Sequence, residues 1–151
     1  MKVRRDQRIM IVEDSDDDYE ATERALKRDG RLANELLRFE NGEAALGYLL
    51  NEPPFEDRAM HPKPGIILLD LNLPGGGGVV ALSRIKADAT LERIPVVVLT
   101  TSTDPTDIAR CYAAGANTYV AKPVDVQDFF RAVQRLRDYW FDLAILPGEA
   151  S

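Results

Sequence analysis

Five short apolar runs, separated by stretches of helical periodicity, constrain the fold of this chain more than any other feature of its sequence. The runs cover residues 9–12, 35–39, 65–69, 95–99 and 118–120. Several are continuous rather than alternating in polarity, which is typical of strands covered on both faces. Because strand and helix alternate five times, the sequence predicts an α/β fold with a central parallel sheet and helices on both faces.

Capping signals delimit several of the helices between these runs. Ser15 precedes three aspartates in a capping-box pattern, and Asn41 opens the second helix. The fourth helix has Asp104 as its N-cap, Pro105 at its first position and Gly115 as its stop. Helical spacing predicts these inward-facing side chains: Tyr19, Thr22, Leu26, Ala45, Leu46, Leu49, Val79, Leu82, Ile85, Ile108, Cys111, Tyr112, Phe129, Val133, Leu136 and Trp140.

Composition excludes several classes of protein. The 151 residues are 45% hydrophobic and 29% charged, which is typical of one globular domain with a core. A net charge of −6 without a basic stripe argues against binding to nucleic acid. Cys111 is the only cysteine and is expected to be a small core residue. No apolar stretch is long enough for a signal sequence or a membrane span, so we expect a cytoplasmic protein.

Polar side chains follow four of the predicted strands. Glu13 and Asp14 follow the first, Asp70 the third, Thr100 ends the fourth, and Lys122 follows the fifth. Ligands of open parallel sheets bind beyond the carboxyl ends of the strands. The sequence therefore predicts that these side chains converge on one small region.

The chemistry of that region follows from its charges. Carboxylates a few ångströms apart repel by several kcal/mol at an effective dielectric constant of about 20, so they must be protonated or share a cation. Oxygen ligands of this kind suit Mg²⁺, whose natural partner is phosphate. Lys122 and the Thr100 hydroxyl can then bind a phosphoryl oxyanion, and Asp70 is the candidate nucleophile for an acyl phosphate.

Over residues 8–138 the chain resembles the receiver domains of two-component response regulators. The resemblance lies in Glu13-Asp14, in L-L-D-L-N-L-P around Asp70, in V-V-V-L-T-T at the end of the fourth strand, and in Y-V-A-K-P near the fifth. It implies a flavodoxin-like (βα)5 receiver domain with strand order 2-1-3-4-5. Residues 1–7 are then an N-terminal tail, and residues 139–151 a C-terminal hydrophobic arm.

The resemblance also implies roles for individual residues. Asp70 is expected to accept a phosphoryl group from a sensor histidine kinase, in a Mg²⁺-dependent reaction without substrate turnover. The implied metal ligands are Glu13, Asp14 and Asp70, with a backbone carbonyl from Asn72. Autodephosphorylation would remove the group.

Further roles concern the phosphoryl group and the switch. Thr100 and Lys122 would bind the phosphoryl group, and Tyr119 would change rotamer when Thr100 moves. The resemblance implies a cis bond between Lys122 and Pro123. Thr101 is larger than the residue most common at its position, which would slow dephosphorylation by outside groups.

Four glycines, at 75–78, follow Pro74. Similar receivers have polar residues at the first three positions and a glycine at the fourth, so Gly78 is expected to be required and the others permitted. A bare loop beside Asp70 could admit a donor domain carrying phosphohistidine, and the alternative is a tolerated surface loop.

Two other features have simpler interpretations. Asp16, Asp17 and Asp18 are expected to face the helix dipole rather than a metal. His61, in the proline-rich loop of residues 51–64, is expected to be exposed to solvent without partners.

The C-terminal arm continues past the point where a minimal receiver would end. It resembles the arm of small response regulators paired with bacterial and cyanobacterial phytochrome kinases, which dimerise through such segments. We expect a homodimer, and the alternative is that the arm folds back on its own helix. The predicted interface consists of Trp140, Phe141, Leu143, Ile145 and Leu146.

Two competing functions share parts of this pattern. A flavodoxin-like cofactor carrier has the same sheet order, but the acidic residues after the first strand would repel a flavin phosphate. A metal-dependent phosphohydrolase using Asp70 usually has a second acid two residues later, where this chain has Asn72. The sequence therefore favours a stand-alone response regulator that signals through protein contacts.

Overall fold

The computed structural model describes residues 3–4, 6–28 and 32–143, which form a five-stranded parallel sheet between two layers of helices. The sheet order is β2-β1-β3-β4-β5, and every paired neighbour is parallel. The predicted sheet and its strand order are confirmed. The strands are β1 (Ile9–Val12), β2 (Leu36–Phe39), β3 (Ile66–Leu69), β4 (Val96–Thr100) and β5 (Thr118–Ala121).

Helices follow the strands in strict alternation. A 3-10 turn, Pro74–Gly76, precedes the third helix, and a π-helical turn, Tyr139–Leu143, continues the fifth. The predicted caps are present, because the side chains of Ser15, Asn41 and Asp104 accept hydrogen bonds from first-turn backbone amides. The helices are α1 (Asp16–Lys27), α2 (Gly42–Leu49), α3 (Gly77–Ala87), α4 (Pro105–Ala113) and α5 (Val126–Asp138).

Two cores cover the two faces of the sheet. Met10 and Val12 of β1 enter the core formed with α2, α3 and α4. Ile9 and Ile11 enter the core formed with α1 and α5. Because successive strand residues point to opposite faces, burial on both sides requires continuous apolar runs. This arrangement leaves the carboxyl ends of the strands as the place where polar side chains gather.

Helix α4 buries less than its periodicity predicts. Cys111 is fully buried, whereas Ile108 is only partly buried and Tyr112 is 50% exposed. The prediction that Tyr112 faces inward is therefore wrong. This nine-residue helix packs against β5 at the edge of the sheet, and its narrow contact leaves room for one buried side chain. The Tyr112 hydroxyl instead accepts a hydrogen bond from the Tyr119 amide at 3.1 Å.

The proline-rich loop of residues 51–64 folds back onto α2. The buried Tyr48 hydroxyl donates to the Pro62 carbonyl at 2.7 Å. The ring of His61 lies edge-on to Tyr48 and Phe55, at centroid distances of 5.8 and 5.2 Å. His61 is half-buried, so the expectation of an exposed histidine without partners is wrong. The loop thus contributes Phe55 and His61 to an aromatic cluster with Tyr48 that spacing alone does not indicate.

Both ends of the described chain meet at the α1 and α5 face of the sheet. Trp140 is buried in that core, and its carbonyl accepts from the amide of the equally buried Val3 at 3.4 Å. Trp140 thus packs on its own chain, as in the alternative of a folded-back arm, and Phe141 is half-buried beside it. The Leu143 side chain and the predicted contact residues Ile145 and Leu146 lie outside the described part. No helix in the described ranges is long and apolar enough to cross a membrane.

Candidate phosphoryl and metal site

Three acids lie together at the carboxyl ends of β1 and β3. The two strands pair in register, and the Asp70 amide donates to the Val12 carbonyl at 3.1 Å. This pairing sets Asp70 beside Glu13, which directly follows β1. One carboxylate oxygen from each of Glu13, Asp14 and Asp70 lies within 4.8 Å of the others. Glu13 and Asp70 are buried, whereas Asp14 is exposed.

Lys122 lies among these acids because β5 pairs with β4 at the same edge. Its amide donates to the Thr100 carbonyl at 2.6 Å. Its ammonium donates to Glu13 Oε1 at 2.6 Å, Asp18 Oδ2 at 3.0 Å and Asp70 Oδ2 at 3.1 Å. An ammonium has three N–H donors, so these carboxylates use all of them. The structure thus brings the predicted lysine into the acidic cluster.

The surroundings shift the pKa values of these groups in different directions. Burial raises the pKa of Glu13 to about 7, although Lys122 acts in the opposite sense. Burial also disfavours the charged form of Asp70, but the Asn72 amide and Lys122 outweigh it and lower the pKa of Asp70 below its usual value. For Lys122, burial is outweighed by Glu13 and Asp18, so its pKa is raised. Asp70 is therefore ionised at neutral pH, as a nucleophile requires.

A hydrogen-bonded bridge connects the Asp70 loop to the end of β4. The Asn72 amide donates to Asp70 Oδ1 at 2.9 Å. The Asn72 side-chain nitrogen donates to the hydroxyls of Thr100 at 3.2 Å and Thr101 at 3.1 Å. Asn72 thereby links the fully buried Thr100 to Asp70, because it donates a hydrogen bond to each of them. The resemblance implies only a backbone role for Asn72, so these side-chain contacts are a finding of the structure.

Tyr119 lies on β5 next to the loop that follows β4. It is half-buried, and its hydroxyl donates to the Ser102 carbonyl at 2.8 Å. This hydrogen bond connects the aromatic ring to the segment that begins at Thr100. The bond between Lys122 and Pro123 is trans, so the expected cis bond is wrong; the lower-energy isomer fits here.

The glycines after Pro74 differ in how strongly the structure requires glycine at each position. A Cβ at Gly78 would lie 2.6 Å from the Asp70 carbonyl oxygen and 2.6 Å from Leu71 Cα, so Gly78 is required as predicted. Gly75 has φ +70°, a conformation that side-chain-bearing residues rarely adopt. The expectation that Gly75 is merely permitted is therefore wrong. At Gly77 the nearest atom to an added Cβ is Leu73 Cβ at 3.8 Å, so another residue is tolerated there.

Arg38 is a site neighbour that the sequence analysis missed. Its Nε donates to the Glu13 carbonyl at 3.2 Å, and its Nη2 lies 2.8 Å from Asp16 Oδ1. Its guanidinium also lies 4.7 Å from the centroid of the Tyr19 ring. Arg38 therefore fixes the loop that carries Glu13. An arginine inside the otherwise apolar run L-L-R-F was the signal that could have identified it.

This donor set fits a hard divalent cation. Three carboxylate oxygens lie close enough to share one ion, and the exposed Asp14 leaves one side open to water. The single ammonium of Lys122 cannot neutralise three nearby acids together with Asp18. The remaining negative charge favours a divalent cation over a neutral ligand.

Comparison with known sequences identifies relatives over nearly the whole chain. The sequence model of the response regulator receiver domain family matches residues 9–134. The chain is 37% identical over 140 residues to the response regulator Rcp1 of Synechocystis sp., covering 93% of this chain and 92% of Rcp1. It is 38% identical over 143 residues to a probable methanogenesis regulatory protein, FilR2 of Methanothrix harundinacea, covering 94% and 88%.

Solved structures agree with these matches. The phosphorylated cyanobacterial phytochrome response regulator RcpA superposes with a TM-score of 0.87 at 35% identity, covering 95% of this chain and 99% of RcpA. The Mn²⁺-bound form of Rcp1 superposes with a TM-score of 0.85 at 35% identity, covering 94% and 99%. Together with the site geometry, these matches show that the chain belongs to the family of response regulator receiver domains.

Proposed function

We propose that this chain is a stand-alone response regulator that accepts a phosphoryl group from a sensor histidine kinase on Asp70. The observation that carries the proposal is the environment of Asp70. Its carboxylate is buried, has a lowered pKa, contacts the Lys122 ammonium at 3.1 Å and lies beside two further acids. Because this carboxylate is ionised, it can attack phosphorus as a nucleophile but has no proton to donate as a general acid. Membership of the receiver family favours this function over a flavin carrier or a phosphohydrolase.

The proposed reaction is an in-line displacement at phosphorus. An Asp70 carboxylate oxygen forms the new O–P bond while the P–N bond to the donor histidine breaks, and the imidazole leaves with the electron pair. Lys122 and the Thr100 hydroxyl donate to the phosphoryl oxygens as charge builds on them. The product is an acyl phosphate on Asp70.

Glu13, Asp14 and Asp70, with the Asn72 backbone carbonyl, are the residues that would hold Mg²⁺. When bound, the ion supplies positive charge that offsets the acids and the phosphoryl oxygens. The related Rcp1 has been solved in a Mn²⁺-bound form, which supports the binding of a divalent cation by this chain. Within this chain, the clustering of the three acids supports it independently.

The proposed output is a change of surface rather than turnover of a substrate. Thr100 would move toward the phosphoryl group, and its hydrogen bond from Asn72 would be exchanged. Tyr119, whose hydroxyl now donates to Ser102, would repack as the β4 end moves. The faces of α4, β5 and α5 would then change their affinity for partners. The chain modifies itself and loses the group by autodephosphorylation.

The proposed kinase is of the phytochrome type. RcpA, a cyanobacterial phytochrome response regulator, shares the fold over 99% of its length. The same proposal divides the chain into a tail of residues 1–7, a receiver of residues 8–138 and an arm of residues 139–151. The bare loop at residues 75–77 would admit the donor domain to Asp70.

Incubation with a small acyl phosphate and Mg²⁺ tests phosphoryl acceptance directly. We expect the intact mass to increase by one phosphoryl group, because the buried, ionised Asp70 needs no kinase to attack an activated phosphorus. Chelation of divalent ions with EDTA should abolish the increase, because the clustered acids would repel the donor. A chain whose mass stays unchanged with Mg²⁺ present would contradict the proposal.

We further propose that the chain forms a homodimer through its C-terminal arm. Trp140 already packs in the core, so a truncation that removes it would disturb the fold as well as the arm. A chain that ends at Leu143 keeps Trp140 and removes Ile145 and Leu146. Sedimentation velocity should then show the full chain as a dimer and the shortened chain as a monomer. An identical oligomeric state for the two chains would remove the arm from the interface.

A further inference from the structure

Asp18, the third partner of the Lys122 ammonium, takes no part in the phosphoryl transfer proposed above. Asp18 lies in the first turn of α1, and its Oδ2 accepts from Lys122 Nζ at 3.0 Å. The ammonium side chain is 6% exposed, and its partners differ in exposure: 5% for Glu13, 7% for Asp70 and 46% for Asp18. Asp18 is thus the only one of the three that reaches well into solvent.

In this arrangement the Lys122 ammonium has no free N–H group with which to bind a phosphoryl oxygen. Its three N–H groups all point at carboxylates. A phosphoryl oxygen on Asp70 can receive a hydrogen bond from Lys122 only when one of these contacts opens. Water can replace the ammonium at a half-exposed carboxylate with little cost, whereas the buried Glu13 has no such substitute. The contact with Asp18 is therefore the one that opens most easily.

Asp18 has a second effect through its charge. The carboxylates of Asp18 and Asp70 contact the same Lys122 ammonium, so the two acids lie close together. The negative charge of Asp18 therefore repels a phosphoryl dianion that approaches Asp70, in addition to competing with it for Lys122. The competition acts through Lys122, whereas plain repulsion does not. An experiment can separate the two effects by removing the ammonium.

We propose that Asp18 is a positioning residue that holds the Lys122 ammonium in the resting site and competes with the phosphoryl group for it, which limits phosphorylation of Asp70. The proposal rests on the function proposed above and adds a residue to it. Asp18 thereby sets how readily the site responds to a donor. Its carboxylate keeps Lys122 buried among the acids until a phosphoryl group displaces it.

The test compares Asp18→Asn with Asp17→Asn. Both variants remove one carboxylate from the first turn of α1, but Asp17 is exposed and makes no contact with Lys122 among the described residues. The initial rate of phosphorylation is measured by intact mass at a subsaturating concentration of a small acyl phosphate with Mg²⁺. We expect Asp18→Asn to be faster by about 1.4-fold to fivefold, the range that an exposed ion pair contributes. Asp17→Asn should match the unmodified chain.

A second pair of variants asks whether the effect passes through Lys122. In a Lys122→Met background, Asp18→Asn should give a clearly smaller acceleration, because the competition no longer exists and only the repulsion remains. An equal acceleration in that background would assign the effect to repulsion alone and overturn the proposal. Chemical denaturation of each variant establishes that it is folded.

The outcomes separate the two proposals. An unmodified chain that accepts no phosphoryl group contradicts the proposed function itself. A chain that accepts the group, with equal rates for Asp18→Asn and Asp17→Asn, contradicts only the role of Asp18. A slower Asp18→Asn variant also overturns it, because the carboxylate would then assist the reaction.

Discussion

The variant Asp70→Asn is expected to gain no phosphoryl group from an acyl phosphate and Mg²⁺ under conditions that phosphorylate the parent chain completely. The neutral carboxamide is a far weaker nucleophile than the carboxylate anion, so it does not displace the leaving group at phosphorus and no acyl phosphate forms. The side chain keeps its size, and its remaining oxygen can still accept from the Asn72 amide, which lies 2.9 Å from Asp70 Oδ1. Intact mass at matched times measures the loss, and peptide mapping of the unmodified chain locates the group.

The fold of this variant should survive the change. Removing one of three clustered acids relieves repulsion, and Lys122 retains Glu13 and Asp18 as partners. We therefore expect the free energy of unfolding to change little, because the relieved repulsion opposes the loss of the ion pair between Asp70 and Lys122. Phosphorylation of Asp70→Asn at the rate of the parent chain would mean that another acid, with Asp14 the nearest exposed candidate, is the acceptor.

The fold could be predicted because its signals are local. Continuous apolar runs indicate strands buried on both faces, and the caps Ser15, Asn41 and Asp104 mark helix starts by side-chain chemistry that needs no tertiary context. Tyr112 shows where this reasoning fails. Helical spacing places it on the apolar side of α4, but the width of the buried face depends on how the helix lies against β5.

The site could be predicted in part for a related reason. Parallel strands end at one edge, so residues that follow the strands must gather there, and Glu13, Asp70 and Lys122 do. The contact between Asp18 and Lys122 joins residues 104 positions apart, and an aspartate in a first helical turn has an adequate local explanation in the helix dipole. Such contacts depend on the direction of a side chain in the folded chain, which spacing does not encode.

Gly75 and Gly78, beside the site, show that backbone constraints are as hard to predict from sequence as side-chain contacts. Gly78 was expected from the resemblance, and its reason is a close approach between the start of α3 and the strand end that carries Asp70. Gly75 was expected to be replaceable, yet its φ of +70° follows from the short turn Pro74–Gly76. Only the folded path of the chain distinguishes these two from Gly77, which has neither constraint.

The variant Gly78→Ala is expected to lower the free energy of unfolding by about 1–3 kcal/mol, the usual cost of overpacking against rigid atoms. The added Cβ would lie 2.6 Å from the Asp70 carbonyl oxygen, 2.6 Å from Leu71 Cα and 2.8 Å from the Leu71 carbonyl oxygen. All three are backbone atoms, so no side-chain rotation relieves the clash. Urea denaturation of the two chains measures the difference.

The matched control is Gly77→Ala, one residue earlier in α3. Beyond the adjacent helix backbone, the nearest atom to its added Cβ would be Leu73 Cβ at 3.8 Å, and its φ of −64° is helical. Because alanine restricts the unfolded chain more than glycine does, Gly77→Ala should raise the free energy of unfolding by about 0.4–1 kcal/mol. Relief of the clash at Gly78 requires the strand end to move, so Gly78→Ala should also slow phosphorylation of Asp70, whereas Gly77→Ala should leave that rate unchanged. Equal stabilities for the two variants would show that α3 and the Asp70 strand end are not in close contact.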